Sequence, residues 1–377
     1  VDLKFSETQE MLKKMASDFT SAECPKAKVR ELEEDETGYS PDIWKKMAGL
    51  GWMGLIIPEE YSGMEMAFQD LIILMEELGR NILPGPFFST VVGTFPILEG
   101  GTEEQKKELL QKIASGESII SLALLEADDT FFASSIATTA TPTENGFVIN
   151  GTKLFVEMAH IADKLICAVK TKDTTNPEEG ITLFIVDAKS PGVHFEVMPT
   201  IAMDKLCEVK LENVLVPKEG MLGELNKGWP LIISTLEKGA LIKSAESVGA
   251  MQACVDMTVE YSKERVQYDR PIGSYQALQH IMVDMWIAME TSRYLLYKSA
   301  WAASEGLPCS KEASATKAYV NEAYKHVSKW AIRLHGGIGT SREHDISLYY
   351  RRARSSDPSF GGTDFHREIV AEKIGLI

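Results

Sequence analysis

The chain has 377 residues, 44% of them hydrophobic, and its 55 aspartates and glutamates outnumber 39 lysines and arginines for a formal charge of -16. That excess of negative charge excludes a general surface for nucleic acid or an anionic membrane, and no apolar run reaches the roughly 18 to 20 residues that span a bilayer. The acidic start VDLKFSETQEMLKKM lacks a signal peptide's basic and apolar regions. Cys24, Cys167, Cys207, Cys254 and Cys309 are scattered without metal-ligand spacing, so a cytoplasmic protein with reduced thiols is expected.

From Phe5 to about Gly116 the patterning is helical. Ser6 with Gln9 can form a capping box, Ser40-Pro41-Asp42 opens another helix, GLIIPEEYSGM reads as a loop, and FQDLIILMEELGR returns to helix. NILPGPFF interrupts, and GTEEQKKELLQKIASGE is strongly amphipathic. At Ser118 the texture changes to the short β-rich runs IISLALLE, GFVINGTKLFVE, KLICAVKT and ITLFIVDA, with turns expected at Glu144-Asn145-Gly146 and Asn150-Gly151. The helical period resumes near Gly228 and holds to the end of the chain.

Blocks of helix, strand and helix predict an α+β fold in three domains: an N-terminal helical domain (1–117), a small antiparallel β domain (118–225) and a C-terminal helical domain (226–377). In the last block Leu241, Ala245, Val248, Gln252, Val255 and Val259 recur at helical spacing. So do Leu278, Ile281, Met285, Ala288, Ser292 and Leu295. Between them lies a polar joint where Arg265 and Arg270 stand near Pro271, Gly273 and Gln276, a composition suited to an anionic ligand. A second basic cluster, Arg351, Arg352 and Arg354, reads as a solvated helix face or a phosphate or subunit contact. No histidine cluster has metal-ligand spacing, and neither a nucleophile elbow nor a Walker loop occurs.

The joint ERVQYDRPIGSYQALQH resembles the ERxQFGxPIxxFQxxxH signature of the acyl-CoA dehydrogenase family, and RLHGGIGTSREHDISLYYRRAR resembles its QLHGGxGxTxExxxxRxxRDAR segment. Matches at both ends extend the resemblance over nearly the whole chain. It implies an N-terminal helical domain, a central β domain and a C-terminal four-helix-bundle domain, with FAD held between the β domain and the C-terminal helices and its adenine end reaching a neighbouring subunit. Carried over by position, Arg265 matches the arginine on the flavin pyrophosphate, Tyr268 the aromatic of that motif, Gln276 its glutamine, and Gly336 and Gly337 the pair over which backbone approaches the dinucleotide. Thr363, closing the Phe360-Gly361-Gly362-Thr363 segment, is also assigned to the cofactor.

Departures from the family pattern are equally specific. LLEADDTFF replaces the usual TEPxxGSD loop and retains only Glu126, while Phe155-Val156-Glu157 replaces W-I-T beside the flavin, leaving Phe155 to cover the isoalloxazine or serve as a core aromatic. Dehydrogenation of an acyl thioester needs a carboxylate to take the α-proton, yet the family's two glutamate positions hold Gly361 and Gly239-Ala240. The Gly361 N–H remains as a donor to the thioester carbonyl, and the missing acid is expected to leave space for a cyclic or branched acyl group. Glu157, Glu246, two helical turns after Gly239, and Glu237 are the candidate replacement bases, ahead of Asp357 and Asp364.

The resemblance therefore implies oxidation of an acyl-CoA, bulky or alicyclic, with electrons passed to an electron-transfer flavoprotein. Two alternatives stay open: a non-catalytic subunit of a heteromeric dehydrogenase, and a non-oxidising acyl-CoA lyase or desulfinase. A cofactor straddling chains implies a homodimer or homotetramer with the C-terminal helices at the interface, or a hetero-oligomer.

Overall fold

A computed structural model describes residues 4–128 and 130–376; residue 129, in the stretch after Glu126, lies outside them. The chain opens with α1 (Glu7–Glu23), α2 (Lys26–Glu34), α3 (Pro41–Gly49), α4 (Phe68–Asn81), α5 (Phe87–Gly100) and α6 (Glu103–Ala114). Strands β1 (Ile120–Ala123), β2 (Thr139–Thr143), β3 (Gly146–Glu157), β4 (Lys164–Lys170), β5 (Ile181–Asp187), β6 (Val193–Met198), β7 (Leu206–Val216) and β8 (Met221–Leu222) follow. The long helix α7 (Trp229–Glu264) leads through the short strands β9 (Val266–Gln267) and β10 (Arg270–Pro271) to α8 (Gln276–Ser304). Then come α9 (Ser310–His335), α10 (Ile346–Ser356) and α11 (Thr363–Lys373). Helical, β and helical blocks thus occur in the expected order, and no described helix is long and apolar enough to cross a membrane.

Local chemistry accounts for the helix starts. Ser6 and Gln9 close a reciprocal capping box (3.0 and 3.2 Å), and Thr102 and Gln105 close another (2.9 and 3.3 Å), each satisfying N–H groups that a helix leaves unpaired. The stretch after Pro86, which periodicity leaves unassigned, forms α5 despite Pro96 in its interior. Its residues from Phe87 to Ile97 are all buried, so tertiary packing overrides a poor intrinsic propensity.

Strands β1 to β8 form one sheet in the order β6-β7-β3-β2-β4-β5-β8, with β1 also on β4, and β9 and β10 form a separate pair. Most pairs are antiparallel as expected, but β1 and β2 each pair with β4 in parallel. Leu165 to Val169 on β4 have at most 0% exposure, because a strand covered on both faces needs a continuous apolar run rather than an alternating one. Glu144-Asn145 makes the expected two-residue hairpin between β2 and β3. Asn150-Gly151 does not turn the chain: β3 runs through it, and its register against β7 shifts between Ile149 and Gly151 and again between Lys153 and Val156. These are β-bulges, where glycine serves a bend in a continuous strand.

Contacts gather the chain into two compact units. One takes Val1–Glu31, Ala67–Leu83 and Glu237–Ile377; the other takes Leu32–Met66 and Pro84–Leu236. In the first, α1 packs on α4, α4 on α8, α8 on α9, and α9 on both α10 and α11. The backbones of α4 and α7 touch: a Cβ at Gly249 would lie 1.8 Å from Glu76 O, and one at Gly79 2.2 Å from Glu246 O. A buried network ties α8 to α4, where Glu76 accepts from Arg293 Nε (2.9 Å) and from the Tyr297 hydroxyl (2.5 Å). In the second unit, α5 packs on β1, β4 and α6.

Candidate active site

The polar joint between α7 and α8 is a tight hairpin. Tyr268 and Asp269 form its two-residue loop, with φ of 53° and 63°; such primed turns ordinarily take Asn-Gly, because both central residues need positive φ. Tyr268 is 88% exposed. Arg270 lies over the Tyr275 ring, 4.0 Å from its centroid, whereas the exposed side chains of Arg265 and Gln276 have no hydrogen-bonding or ionic partner among the described residues.

One turn before Arg265, Tyr261 stacks on His335 with centroids 4.4 Å apart and donates its hydroxyl to His335 O (3.3 Å). This contact joins the end of α7 to the end of α9, where Gly336 and Gly337 follow. Gly336 needs its positive φ of 68°, while a Cβ on either glycine would meet nothing within 4 Å. Packing within the chain therefore gives no reason for the second glycine. His335 has a structural role: its Nδ1 bonds Ala331 O (2.8 Å), and burial lowers its pKa.

In the β unit, Phe155 lies in the second bulge with φ of 55° and 39% exposure. The bulge turns its ring outward, which argues against a purely core role. Glu157 closes the same strand, half-buried. Glu126, the acid retained in the departed loop, is occupied internally: it accepts from Lys153 Nζ (2.6 Å) and from the N–H groups of Ala137 and Thr138. Burial alone would raise its pKa, but the Lys153 ammonium and these hydrogen bonds hold it below the usual carboxylate range.

The segment around Gly361 differs most from expectation. The space anticipated there is filled: a Cβ on Gly361 would lie 2.6 Å from His366 Nε2 and 2.6 Å from Phe365 Cδ1, and its φ is 103°. At the other position, a Cβ on Gly239 would lie 2.4 Å from Phe360 Cδ1, so an aromatic ring takes that place. The Gly361 N–H, expected to be available, donates to Pro358 O (3.1 Å) in a turn. The Thr363 hydroxyl donates to Glu322 (3.2 Å) and Asp357 (3.3 Å), so it is committed within its own unit.

The candidate bases are not equivalent. Glu246 shares the face of α7 that carries Gly239 and Lys243, and it is ion-paired to Lys243 at 2.7 Å. Glu237 is two residues from Gly239 and so faces elsewhere on the helix; its carboxylate lies 4.0 Å from Cys309 Sγ. Asp357 pairs with Lys325 (3.1 Å), and Asp364 with Arg367 (3.2 Å) at the surface. Phe360 entered the sequence reading only as part of its segment, and His366, Lys317 and Asn321 escaped it. The signal for the last two was a polar i,i+4 pair on a face of α9 otherwise made of Ala313, Val320, Tyr324 and Val327.

Three family models cover most of the chain: the acyl-CoA dehydrogenase N-terminal domain over residues 6–117, the middle domain over 121–214 and the C-terminal domain over 226–375. A 3-(aryl)acrylate reductase of Clostridium sporogenes is 34% identical across 98% of this chain and 99% of its own. The chain belongs to the acyl-CoA dehydrogenase family. Another relative, the CarC subunit of the caffeyl-CoA reductase-Etf complex of Acetobacterium woodii, is 32% identical over 93% of each chain. The solved structure of butyryl-CoA dehydrogenase from Megasphaera elsdenii superposes with a TM-score of 0.92 at 27% identity, covering 99% of this chain and 100% of that one.

Members of the acyl-CoA dehydrogenase family are FAD-dependent oxidoreductases, and this chain is such a flavoprotein. Its residues fit the cofactor: an unpartnered guanidinium at Arg265 suits a diphosphate, and the open Gly336-Gly337 turn lets backbone approach closely.

Proposed function

We propose that this chain is an acyl-CoA oxidoreductase that exchanges electrons with an electron-transfer flavoprotein, acts on a ring-bearing acyl group, and moves the α-proton without the family's usual glutamate. The observation that carries this reading is the pair of glycines at 361 and 239, with His366, Phe365 and Phe360 packed into the places a side chain would take. Aromatic surface, rather than vacant space, is what supports a planar or alicyclic acyl group. The names of the aryl-acrylate and caffeyl-CoA reductases support the same class, and the Etf complex of the second supports the redox partner.

When bound, FAD supplies the two-electron exchange at the β-carbon. Arg265, Gln276 and the Gly336-Gly337 turn would hold its nucleotide part, Tyr268 would cover that joint, and Phe155 would lie on the ring. Polarisation of the thioester carbonyl, which acidifies the α-carbon, would require the Gly361 N–H to give up its bond to Pro358 O. Glu157, Glu246 and Glu237 are the groups to test for the proton, with Glu246 held back by Lys243. The chain assembles as a dimer or tetramer.

A second reading, a non-catalytic subunit of a mixed dehydrogenase, is favoured by the same two glycines and by the internal bond of the Gly361 N–H. One preparation separates the readings. The chain is expressed alone, its flavin spectrum and mass are recorded, and linear, alicyclic and aryl acyl-CoAs and their enoyl forms are added with an artificial acceptor or donor. Yellow protein whose flavin is bleached by a ring-bearing acyl-CoA, or reoxidised by its enoyl form, supports the oxidoreductase. Colourless protein that gains flavin only with a second chain supports the subunit, and product without change in flavin redox state supports a lyase. Glu→Gln variants at 157, 237 and 246 then identify the proton acceptor by a loss of about 100-fold or more in kcat.

A further inference from the structure

A cavity of about 130 Å³ opens among helices of the first compact unit, lined by Phe5 and Lys13 from the start of the chain, by Glu77 and Arg80 on α4 and by Arg293 on α8. Voids of roughly 150 Å³ admit a molecule the size of benzene, so a guest of a few non-hydrogen atoms fits. Most polar groups here are matched. Arg293 donates from Nε to Glu76 (2.9 Å), from Nη2 to Gln252 Oε1 (2.9 Å) and from Nη1 to Glu290, and the Tyr297 hydroxyl donates to the other Glu76 oxygen (2.5 Å). Arg80 donates to Asp256 Oδ2 (2.8 Å), and Asp256 Oδ1 accepts from Gln252 Nε2 (2.8 Å). The Phe5 ring packs edge-on against Tyr297, with centroids 5.5 Å apart, so the network that holds Glu76 also fixes the aromatic wall.

Glu77 stands outside this network. Its side chain is 3% exposed, its Oε2 has no hydrogen-bond partner among the described residues, and its ion contact from Oε1 to Lys13 Nζ is 3.9 Å long, beyond hydrogen-bonding reach. With their partners included, the groups around the cavity set the carboxylates of Glu76, Glu77, Asp256 and Glu290 against the cations Lys13, Arg80 and Arg293, and the missing positive charge falls on Glu77. Burial raises its pKa against the pull of Lys13; the Glu76 carboxylate adds to the rise, while Arg80 and Arg293 oppose it. A buried carboxylate so placed either takes up a proton or gains a cation that donates to it. Lys13 does not fill that role, because its ammonium lies over the Phe5 ring, 5.3 Å from the centroid. Water would donate to Glu77 but leave the charge unbalanced. A carboxylate and an aromatic face lining one cavity are the pair that recognises an organic ammonium.

We propose that this cavity is a binding site for a small protonated primary amine, whose ammonium donates to Glu77 Oε2 and whose carbon body lies against the Phe5 ring. The site stands independently of the acyl-CoA reading. The guest reaches it past Lys13 and Arg80, whose side chains are 33% and 41% exposed. Once seated, it joins the start of the chain to α4 through a bond that the empty cavity lacks, so occupancy stabilises the first unit. Protonation of Glu77 competes with the amine, and affinity therefore falls as the medium is acidified.

The test titrates the flavin-loaded chain with ethylammonium chloride, followed by calorimetry and by thermal unfolding, with ethanol and sodium chloride at the same concentrations as controls. Ethylammonium has three non-hydrogen atoms, so a Kd on the order of 1 mM is expected, with a matching rise in melting temperature. Ethanol, which keeps the size and a donor but not the charge, should bind at least about tenfold more weakly, and so should the sodium ion. Glu77→Gln should lower ethylammonium affinity about tenfold or more. Lys13→Met, which removes a neighbouring cation, should raise it about threefold.

Absence of saturable heat beyond the sodium chloride control would overturn the proposal and leave water or a proton to satisfy Glu77. So would ethanol binding as tightly as ethylammonium, or Glu77→Gln binding like the wild type. Should Glu77→Gln not fold, the ethanol comparison and Lys13→Met decide, and an affinity unchanged or lowered in Lys13→Met counts against the site.

Discussion

Gly361 and Gly239 are glycines for different physical reasons. At 239 a side chain would collide with the Phe360 ring, which is a matter of packing. At 361 the backbone itself has φ of 103°, a conformation that side chains disfavour, and His366 stands in the way as well. Gly361→Glu is therefore expected to destabilise the protein by about 1 to 3 kcal/mol rather than restore ordinary dehydrogenation. Thermal unfolding and an assay with a linear acyl-CoA check this. Unchanged melting with new α,β-dehydrogenation would show that the turn yields easily. That glycines stand at 239 and 361 was legible in the sequence. That Phe360, Phe365 and His366 would fill their places was not, because residues 239 and 360 are far apart in sequence and only the packing of α7 against the Gly361 segment brings them together.

Among the elements, the β9–β10 hairpin was legible as a joint between two helical patterns, and its resemblance to a family signature pointed to a cofactor. Its strain was hidden, since Tyr-Asp is not the pair that a type I′ turn selects. Replacing Tyr268 and Asp269 by Asn and Gly should stabilise the joint by about 1 kcal/mol through the relieved backbone, while lowering flavin content severalfold if Tyr268 serves the cofactor. Melting temperature and the flavin-to-protein absorbance ratio measure the two effects, and undiminished flavin would remove Tyr268 from the site. Strand β3 teaches the complementary lesson. Asn150-Gly151 carries a turn signature, but β3 continues against β7 on both sides, so pairing converts it to a bulge. Helix α5 was missed for a related reason: its stability comes from being buried, which no local pattern records.

For the molecule as a whole, the amphipathic blocks sufficed to order helix, sheet and helix, but not to say which helices pack together. On α8, Val283, Trp286 and Ile287 are about half exposed and Tyr294 is 60% exposed, an apolar area that a chain with so much negative charge would ordinarily cover. We expect the wild type to have the mass of a dimer or tetramer by light scattering, and the double change Trp286→Arg and Ile287→Glu to shift it towards monomer with secondary structure retained. A monomeric wild type, or an unchanged mass in the variant, would rule out this face.

The grouping of segments has a further consequence for biosynthesis. The chain enters and leaves its units repeatedly, so that α1 and α4, made early, belong with helices synthesised after residue 237. Until those later segments have emerged from the ribosome, α4 lacks α8, on which it packs in the finished molecule. Completion of that unit must therefore wait on the segments made last. A fragment cut at residue 117 would carry the first pieces of both units and complete neither.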